Sequence, residues 1–308
     1  MSLALIVGGL VLLALPGWWQ PRRSGTGVIR RARECRASLA LGVVLTVSGL
    51  LLWGAPAVLH VADGWGLPGL CDDAIHQLPL GGLEFALIAG VVAGLIVARL
   101  IGALTRSVAR RRDAWVDPFI GQHRGLSEFD VVVIASSRLV AVGVPGSPPQ
   151  IVISEGLVSV LDPSELDAVL RHEMAHHRLH HRNYLLLAAA VDHVFGWLPP
   201  VRSSTAALRR ALEEWADLAS TRRSPERVAR LRSALARLAD VHLTTAARRD
   251  IERRIAMLET ADPRNDARST RSTRTTGLVM GVGGAVAVAS LLVALSYEVF
   301  AAVGRCAT

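Results

Sequence analysis

Four apolar blocks constrain the fold of this chain more than any other feature of its sequence. A helix needs about 20 residues to cross a hydrocarbon core of ~30 Å. Residues 3–19, 38–59, 81–105 and 277–303 approach or exceed that length and carry few charges. A signal peptide has basic residues before its apolar core, whereas here they follow the first block, so we interpret that block as a retained span. The sequence therefore predicts four transmembrane helices.

The arginines predict how these spans are oriented. The chain has 34 basic residues, all of them arginine, and a formal net charge of +8. Arginines are frequent in residues 20–37 and 106–275 and absent from residues 60–80. The positive-inside rule then places 20–37 and 106–275 in the cytoplasm, and both termini and the loop 60–80 outside. Arginines at span ends favour contact with anionic lipids of the bilayer, so we expect no direct nucleic-acid binding.

The cytoplasmic segment 106–275 has the pattern of an α+β domain. Two β-rich runs, DVVVIA at 130–135 and QIVIS at 150–154, are separated by a turn-rich stretch and predict two strands. The sequence Asp162-Pro163-Ser164-Glu165 predicts a capped helix from Pro163 to about His181.

Three further helical segments complete the predicted architecture. Residues 204–220 and 225–258 have helical patterns, and the apolar run 185–200 is short for a span and contains charged residues, which favours a buried or interfacial helix. The predicted fold class is mainly α. It is a polytopic helical membrane protein with three transmembrane helices in residues 1–105, an inserted α+β domain, and a fourth transmembrane helix with a short outer tail in 276–308.

The motif His172-Glu173-Met174-Ala175-His176 carries the clearest chemical signal. Residues i and i+4 lie on one face of a helix, so both imidazoles can bind one tetrahedral zinc ion. Glu173 lies beside that axis and can act as general base on a zinc-bound water. The alternative is a merely His-rich amphipathic helix, because five of the ten histidines lie in residues 172–181.

A third protein ligand is expected from the next predicted helix, which contains Glu213-Glu214-Trp215-Ala216-Asp217. Glu213 and Asp217 are also i and i+4 neighbours, so both can face the HExxH helix. Glu213 is the first choice as zinc ligand, and Asp217 would accept the second N–H of a ligating histidine. Glu214 remains the alternative ligand.

HExxH followed by ExxAD resembles the gluzincin membrane peptidases, and the surrounding sequence is similar to the BlaR/MecR-type antirepressor peptidases. The similar stretch runs from QIVIS through LDPSELDAVLRHEMAHHRLHH and RRALEEWADLAS to ERRIAML, roughly residues 130–260. The resemblance implies a gluzincin-like domain with one Zn²⁺ per chain and a DNA-binding repressor in the cytoplasm as substrate. It also implies that an edge strand receives the substrate in extended form. The residues that it assigns to this strand are Ile151, Val152, Ile153 and Ser154.

Two features depart from that family. Its members commonly have an aspartate five residues after the second histidine, where this chain has His181. The chain ends at Thr308, soon after the fourth block, so the extracellular penicillin-binding sensor of the best-known members is expected to be missing. The activating signal therefore stays open.

The leading functional prediction is a zinc endopeptidase at the cytoplasmic membrane surface that cleaves a repressor in a signalling pathway. The main alternative is a quality-control or processing zinc peptidase of the heat-shock or prenyl-peptidase kind. A scaffold without activity is a third class, which the intact Glu173 argues against. Tyr184, His180 and Arg210 are open candidates for stabilising the tetrahedral intermediate. Homo-oligomerisation is open as well.

The three cysteines exclude a disulfide scaffold but leave room for one bridge. The predicted topology places Cys35 in the reducing cytoplasm, and Cys71 and Cys306 outside. Because an outer loop can reach a neighbouring helix end, we predict a Cys71–Cys306 disulfide. Two unpaired cysteines and an intermolecular bridge are the alternatives.

Overall fold

A computed structural model of the chain describes residues 2–18, 27–63, 82–116, 122–124, 130–144, 149–222, 224–241 and 245–260. Three long helices come first: α1 (Ser2–Trp18), α2 (Val28–Asp63) and α3 (Gly82–Val116). Four short strands follow: β1 (Gln122–Arg124), β2 (Asp130–Ile134), β3 (Ala141–Val144) and β4 (Gln150–Ser154). The remaining described helices are α4 (Glu155–Val160), α5 (Pro163–Arg178), α6 (His181–Phe195), α7 (Pro199–Thr221), α8 (Pro225–Asp240) and α9 (Thr245–Thr260).

Two of the long helices could cross a membrane by length and composition. The apolar windows are Val28–Gly54 in α2 and Leu87–Arg106 in α3, whereas the apolar helix Ser2–Gly17 is shorter. The first and second helices pack closely, since a Cβ at Gly9 would come within 2.3 Å of Thr46 Oγ1. This packing supports an apolar helical hairpin at the start of the chain.

Several sequence predictions lie outside the described residues. They are the fourth span at 277–303 and the Cys71–Cys306 disulfide. Most of the predicted outer loop, from residue 64 onward, also lies there.

The long helices extend beyond the predicted spans into the expected cytoplasmic segments. α2 already begins at Val28, within the predicted loop 20–37, and α3 continues to Val116. The domain boundary predicted at residue 106 therefore falls inside one helix. The sequence between Arg106 and Val116 contains no glycine or proline that would end a helix. The next proline after Val116 is Pro118.

The strands form one mixed sheet in the order β1-β2-β4-β3. β2 and β4 are parallel, while β1 and β3 pair antiparallel to β2 and β4. β4 is thus an interior strand, which corrects the sequence prediction that its residues Ile151, Val152, Ile153 and Ser154 form the edge. The physical reason is long-range pairing: the backbone of β4 bonds to β2 on one side and to β3 on the other, so it offers no free edge to a substrate. Among the described strands, β1 and β3 form the edges.

The helix that carries HExxH packs between the sheet and the helical part of the molecule. α5 begins with the predicted capping box, because the Asp162 side chain accepts from the backbone N–H of Glu165 and the Glu165 side chain accepts from that of Asp162. The helix ends at Arg178, before the predicted His181, because His180 adopts a left-handed conformation with φ of 53°. Val169, Leu170 and Met174 pack with the apolar side chains of β2 and β4.

A second core joins the long helices α1 and α2 to the helices that follow the sheet. Leu13 of α1 and Val28, Ala32 and Leu39 of α2 share one apolar cluster with side chains of α6, α7, α8 and α9. The predicted helix 225–258 is two helices, α8 and α9. α9 therefore packs against both α8 and α7.

Candidate metal centre

The two histidines of the HExxH motif lie one turn apart on α5 and face the same point. His172 Nε2 and His176 Nε2 are 3.1 Å apart. Both side chains are largely shielded from solvent, with 8% and 17% of their surface exposed. The i, i+4 spacing on a straight helix produces this convergence.

Glu213 of α7 completes the cluster. Its Oε2 lies 3.3 Å from His172 Nε2, and its Oε1 lies 3.5 Å from His176 Nε2. Ligand atoms that surround a tetrahedral zinc ion at about 2.0–2.2 Å are roughly 3.3–3.6 Å apart. The spacing and the N₂O donor set therefore fit zinc. The neighbouring Glu214 points elsewhere, because its Oε2 lies 3.0 Å from Arg31 Nη2 of α2. Of the two glutamates considered from the sequence, only Glu213 lies in the cluster.

Asp217 contacts His172 at Nδ1, on the side of the ring away from the cluster. The carboxylate is fully buried, and its Oδ1 lies 2.9 Å from His172 Nδ1. Arg254 of α9 binds the same carboxylate with two hydrogen bonds, from Nε at 2.8 Å and from Nη2 at 2.6 Å. Arg254 Nη1 also lies 3.4 Å from Glu213 Oε2. Sequence reasoning missed Arg254, because nothing in the ERRIAML stretch indicates that α9 returns to α7.

The charges of this network shift the pKa values of its members. Burial disfavours the imidazolium of His172, but hydrogen bonds to Asp217 and Glu213 outweigh burial and raise the pKa to about 9. Burial alone would raise the pKa of Glu213. Hydrogen bonds from His172 and His176 lower the pKa by more than burial raises it, so the carboxylate stays ionised. Burial likewise opposes ionisation of Asp217, and Arg254 reverses this and lowers its pKa. The metal-free site therefore holds a proton on His172 that a metal ion must displace.

Glu173 lies between the metal cluster and the sheet edge. Its Oε2 accepts a hydrogen bond of 3.2 Å from the backbone N–H of Gly143 in β3. Burial raises the pKa of Glu173, and the neighbouring His172 and His176 oppose that rise. A Cβ at residue 143 would come within 3.3 Å of the Glu173 carbonyl oxygen, so a glycine allows the close approach of strand and helix. No sequence pattern indicated a role for Gly143, because β3 is short and was not predicted.

Residues 119–211 match peptidase family M48. The matched segment includes the whole sheet and the HExxH helix, and it ends two residues before Glu213. Peptidases of this family are zinc-dependent, and the match supports a zinc metallopeptidase of the M48 kind. No curated protein and no solved structure matches the chain.

Within the M48-like segment, His181 occupies the place of the aspartate expected from the BlaR/MecR-type peptidases. The side chain is fully buried at the first turn of α6, and its Nδ1 lies 3.0 Å from His176 Nδ1. Burial lowers the pKa of His181 to about 3, and the neighbouring His176 contributes in the same direction. At neutral pH His181 is therefore an uncharged partner of the second histidine.

The three candidates for stabilising a tetrahedral intermediate lie in different surroundings. The Tyr184 ring is buried and packs against Trp215, at a centroid distance of 6.2 Å. His180 is exposed in the turn between α5 and α6. Arg210 lines a cavity with Gly17 at the contact of α7 with α1. None of the three joins the cluster of His172, His176 and Glu213 in the described part of the chain.

Proposed function

We propose that this protein is a membrane-bound, zinc-dependent endopeptidase whose active site faces the cytoplasm. The observation that carries the proposal is the cluster of His172, His176 and Glu213, whose ligand atoms lie within 4.8 Å of one another. The M48 match supports the zinc protease, and the apolar windows of α2 and α3 support the membrane location. The cytoplasmic orientation is based on the arginine distribution.

The residues of the site divide the chemistry of peptide hydrolysis among them. His172, His176 and Glu213 would hold the ion, and zinc, when bound, polarises the scissile carbonyl and acidifies a water molecule. Glu173 accepts a proton as the water oxygen bonds to the carbonyl carbon, and it passes that proton to the leaving amine nitrogen as the C–N bond breaks. Asp217 and Arg254 keep the His172 ring in one orientation throughout.

The edge strand β3 is the better candidate for binding the substrate backbone. The N–H of Ser154 donates to the carbonyl of Val140, so the hydrogen-bonded pairs with β4 include residues 140 and 142. Ala141 and Gly143 then direct their N–H and C=O groups away from β4, and the contact from Gly143 to Glu173 agrees with this direction. An extended peptide that pairs with β3 would place its backbone beside Glu173.

Two substrate classes follow from the sequence resemblances. Cleavage of a DNA-binding repressor is implied by the similarity to the BlaR/MecR-type peptidases. Quality control or processing of membrane proteins is the alternative. His181 departs from the antirepressor pattern, because it stands where those peptidases commonly have an aspartate. Both classes use the same zinc chemistry.

Substitution of the ligands tests the metal centre. The purified wild-type protein should hold about one zinc ion per chain, and His172→Ala and Glu213→Gln should lose it. Glu214→Gln is the matched control, because it changes the adjacent carboxylate that pairs with Arg31, and it should keep the zinc. Metal content is measured by atomic emission. Full zinc occupancy in Glu213→Gln together with loss in Glu214→Gln would show that the ligand assignment is wrong.

Substitution of the general base tests the reaction and finds the substrate. Glu173→Gln should keep the zinc and lose cleavage of casein or of any trapped protein, because the amide cannot accept the proton. Proteins that co-purify with this variant can be identified by mass spectrometry and supplied to the wild-type enzyme. Normal cleavage by Glu173→Gln would contradict the mechanism. Recovery of a repressor or of membrane proteins would distinguish the two substrate classes.

A further inference from the structure

The second histidine of the motif requires a hydrogen-bond acceptor on the side away from the metal cluster. His176 Nε2 faces His172 Nε2 and Glu213, so this nitrogen is the ligand atom and its proton must lie on Nδ1. His176 Nδ1 is 3.0 Å from Nδ1 of His181. An uncharged His181 can accept that proton on Nδ1 when it carries its own hydrogen on Nε2.

We propose that His181 is a positioning residue for the metal ligand His176, and that the N-terminal turns of α2 help to hold His181 in place. The proposal rests on the zinc site of the proposed function. A hydrogen bond to the second nitrogen of a ligating histidine fixes its tautomer and ring orientation. The acceptor for His176 is the neutral ring of His181, whereas the acceptor for His172 is the carboxylate of Asp217.

The ring of His181 is fixed by an aromatic pair. Its centroid lies 4.9 Å from that of Trp215 on α7 and 6.2 Å from that of Tyr184 on α6. Tyr184 and Trp215 themselves meet edge to face, with an interplanar angle of 90°. All three side chains are buried. The His181 ring can therefore turn away from His176 only if this aromatic packing changes.

Arginines of α2 cover the outer side of the aromatic pair. Arg36 Cζ lies 4.7 Å from the centroid of the Tyr184 ring, and Arg33 Cζ lies 5.8 Å from that of Trp215. Arg31 forms its ion pair with Glu214, the residue before Trp215. Arg31, Arg33 and Arg36 belong to the arginine-rich segment 20–37, whose sequence predicts only the orientation of the spans. In the structure they join the apolar helix α2 to the neighbours of the metal ligands.

The first experiment separates the hydrogen bond of His181 from its ring packing. Zinc affinity is measured by chelator competition, and the ligand geometry by the visible spectrum of the Co²⁺-substituted protein. His181→Asn should bind zinc within about threefold of wild type, because Asn Oδ1 occupies nearly the place of His Nδ1. His181→Phe keeps the aromatic packing, loses the acceptor, and should bind zinc about 10- to 100-fold more weakly. His177→Phe, the same change at a neighbouring half-buried histidine, is the control.

The outcomes of this experiment are distinct. Wild-type affinity and an unchanged cobalt spectrum in His181→Phe would overturn the proposal. Equal weakening in His181→Phe and His181→Asn would overturn it as well, since the packing and not the acceptor would then be responsible. Failure of the proposed function looks different, because the wild-type protein itself would bind no zinc.

The second experiment tests the contribution of α2. Arg36→Met should weaken zinc binding about two- to fivefold, the effect expected from losing an exposed cation–π contact. Arg30→Met is the matched control on the same helix, since Arg30 is exposed and pairs with Glu34 one turn away. In the His181→Phe background, Arg36→Met should have no further effect. Equal effects of Arg36→Met and Arg30→Met, or full additivity with His181→Phe, would exclude α2 from the support.

Discussion

The two histidines of the HExxH motif lie one helical turn apart, yet the groups that orient them differ in charge. His172 is held by a buried ion network in which Asp217 stands between its Nδ1 and Arg254. His176 is held by the neutral ring of His181 among aromatic side chains. The charged support keeps a proton on His172 in the metal-free protein, whereas the neutral support adds no charge at His176. The two histidines should therefore respond differently to substitution of their partners.

The largest effect is expected at Arg254, the cation of the charged support. Arg254→Met leaves the buried Asp217 without its counter-ion and should lower the free energy of unfolding by about 3–5 kcal/mol. Arg253→Met is the control, because Arg253 is half exposed and pairs with Asp250 on its own helix. Arg253→Met should change the free energy of unfolding by no more than about 0.5 kcal/mol. Urea denaturation measures both, and equal stabilities would mean that the charged network does not hold the site together.

A smaller effect is expected when the charge of Asp217 is removed at constant volume. Asp217→Asn should lower the pKa of His172 from about 9 toward its usual range and weaken zinc binding about 10- to 100-fold. Competition with a chelator at several pH values measures both changes. The comparison between the two supports fails if Asp217→Asn leaves the zinc affinity and its pH dependence unchanged.

A third effect concerns pH alone. The pKa of His172 in the folded, metal-free protein is about 9, above the ordinary histidine value near 6.5. The resulting stabilisation is complete below pH 6.5 and is lost as the pH rises through about 9. Over the same interval the zinc affinity should rise about tenfold per pH unit, because binding displaces one proton. Calorimetry in buffers of different ionisation enthalpy counts that proton, and zero proton release at pH 7.5 would contradict the assignment.

The sequence predicted those parts of the site that depend on a single helix. His172, Glu173 and His176 are placed by helical spacing alone, as are Glu213 and Asp217 relative to each other. The choice between Glu213 and Glu214 could not be made from spacing, because Arg31 on a distant helix binds the latter. Arg254 depends on the return of α9 to α7, which no local pattern indicates.

The same limit explains the error at the sheet. The edge position of QIVIS came from the resemblance to the BlaR/MecR-type peptidases, and no local pattern in QIVIS or in DVVVIA shows which strands pair with it. Its neighbours on both sides depend on long-range pairing with β2 and β3. The short strand AVGV, which contains Gly143, has little local strand signal and was missed.

The shortness of β3 would limit how the proposed endopeptidase selects what it cleaves. Among the described residues, β3 directs the backbone groups of Ala141 and Gly143 away from β4, and the Gly143 N–H already donates to Glu173. Backbone hydrogen bonds contribute about 0.5–1.5 kcal/mol each, so pairing with β3 alone would support weak affinity that depends little on side chains. Such an enzyme would discriminate by which proteins are delivered to it. Confinement of enzyme and substrate to one bilayer would raise their effective concentration and supply that discrimination without an extended recognition sequence.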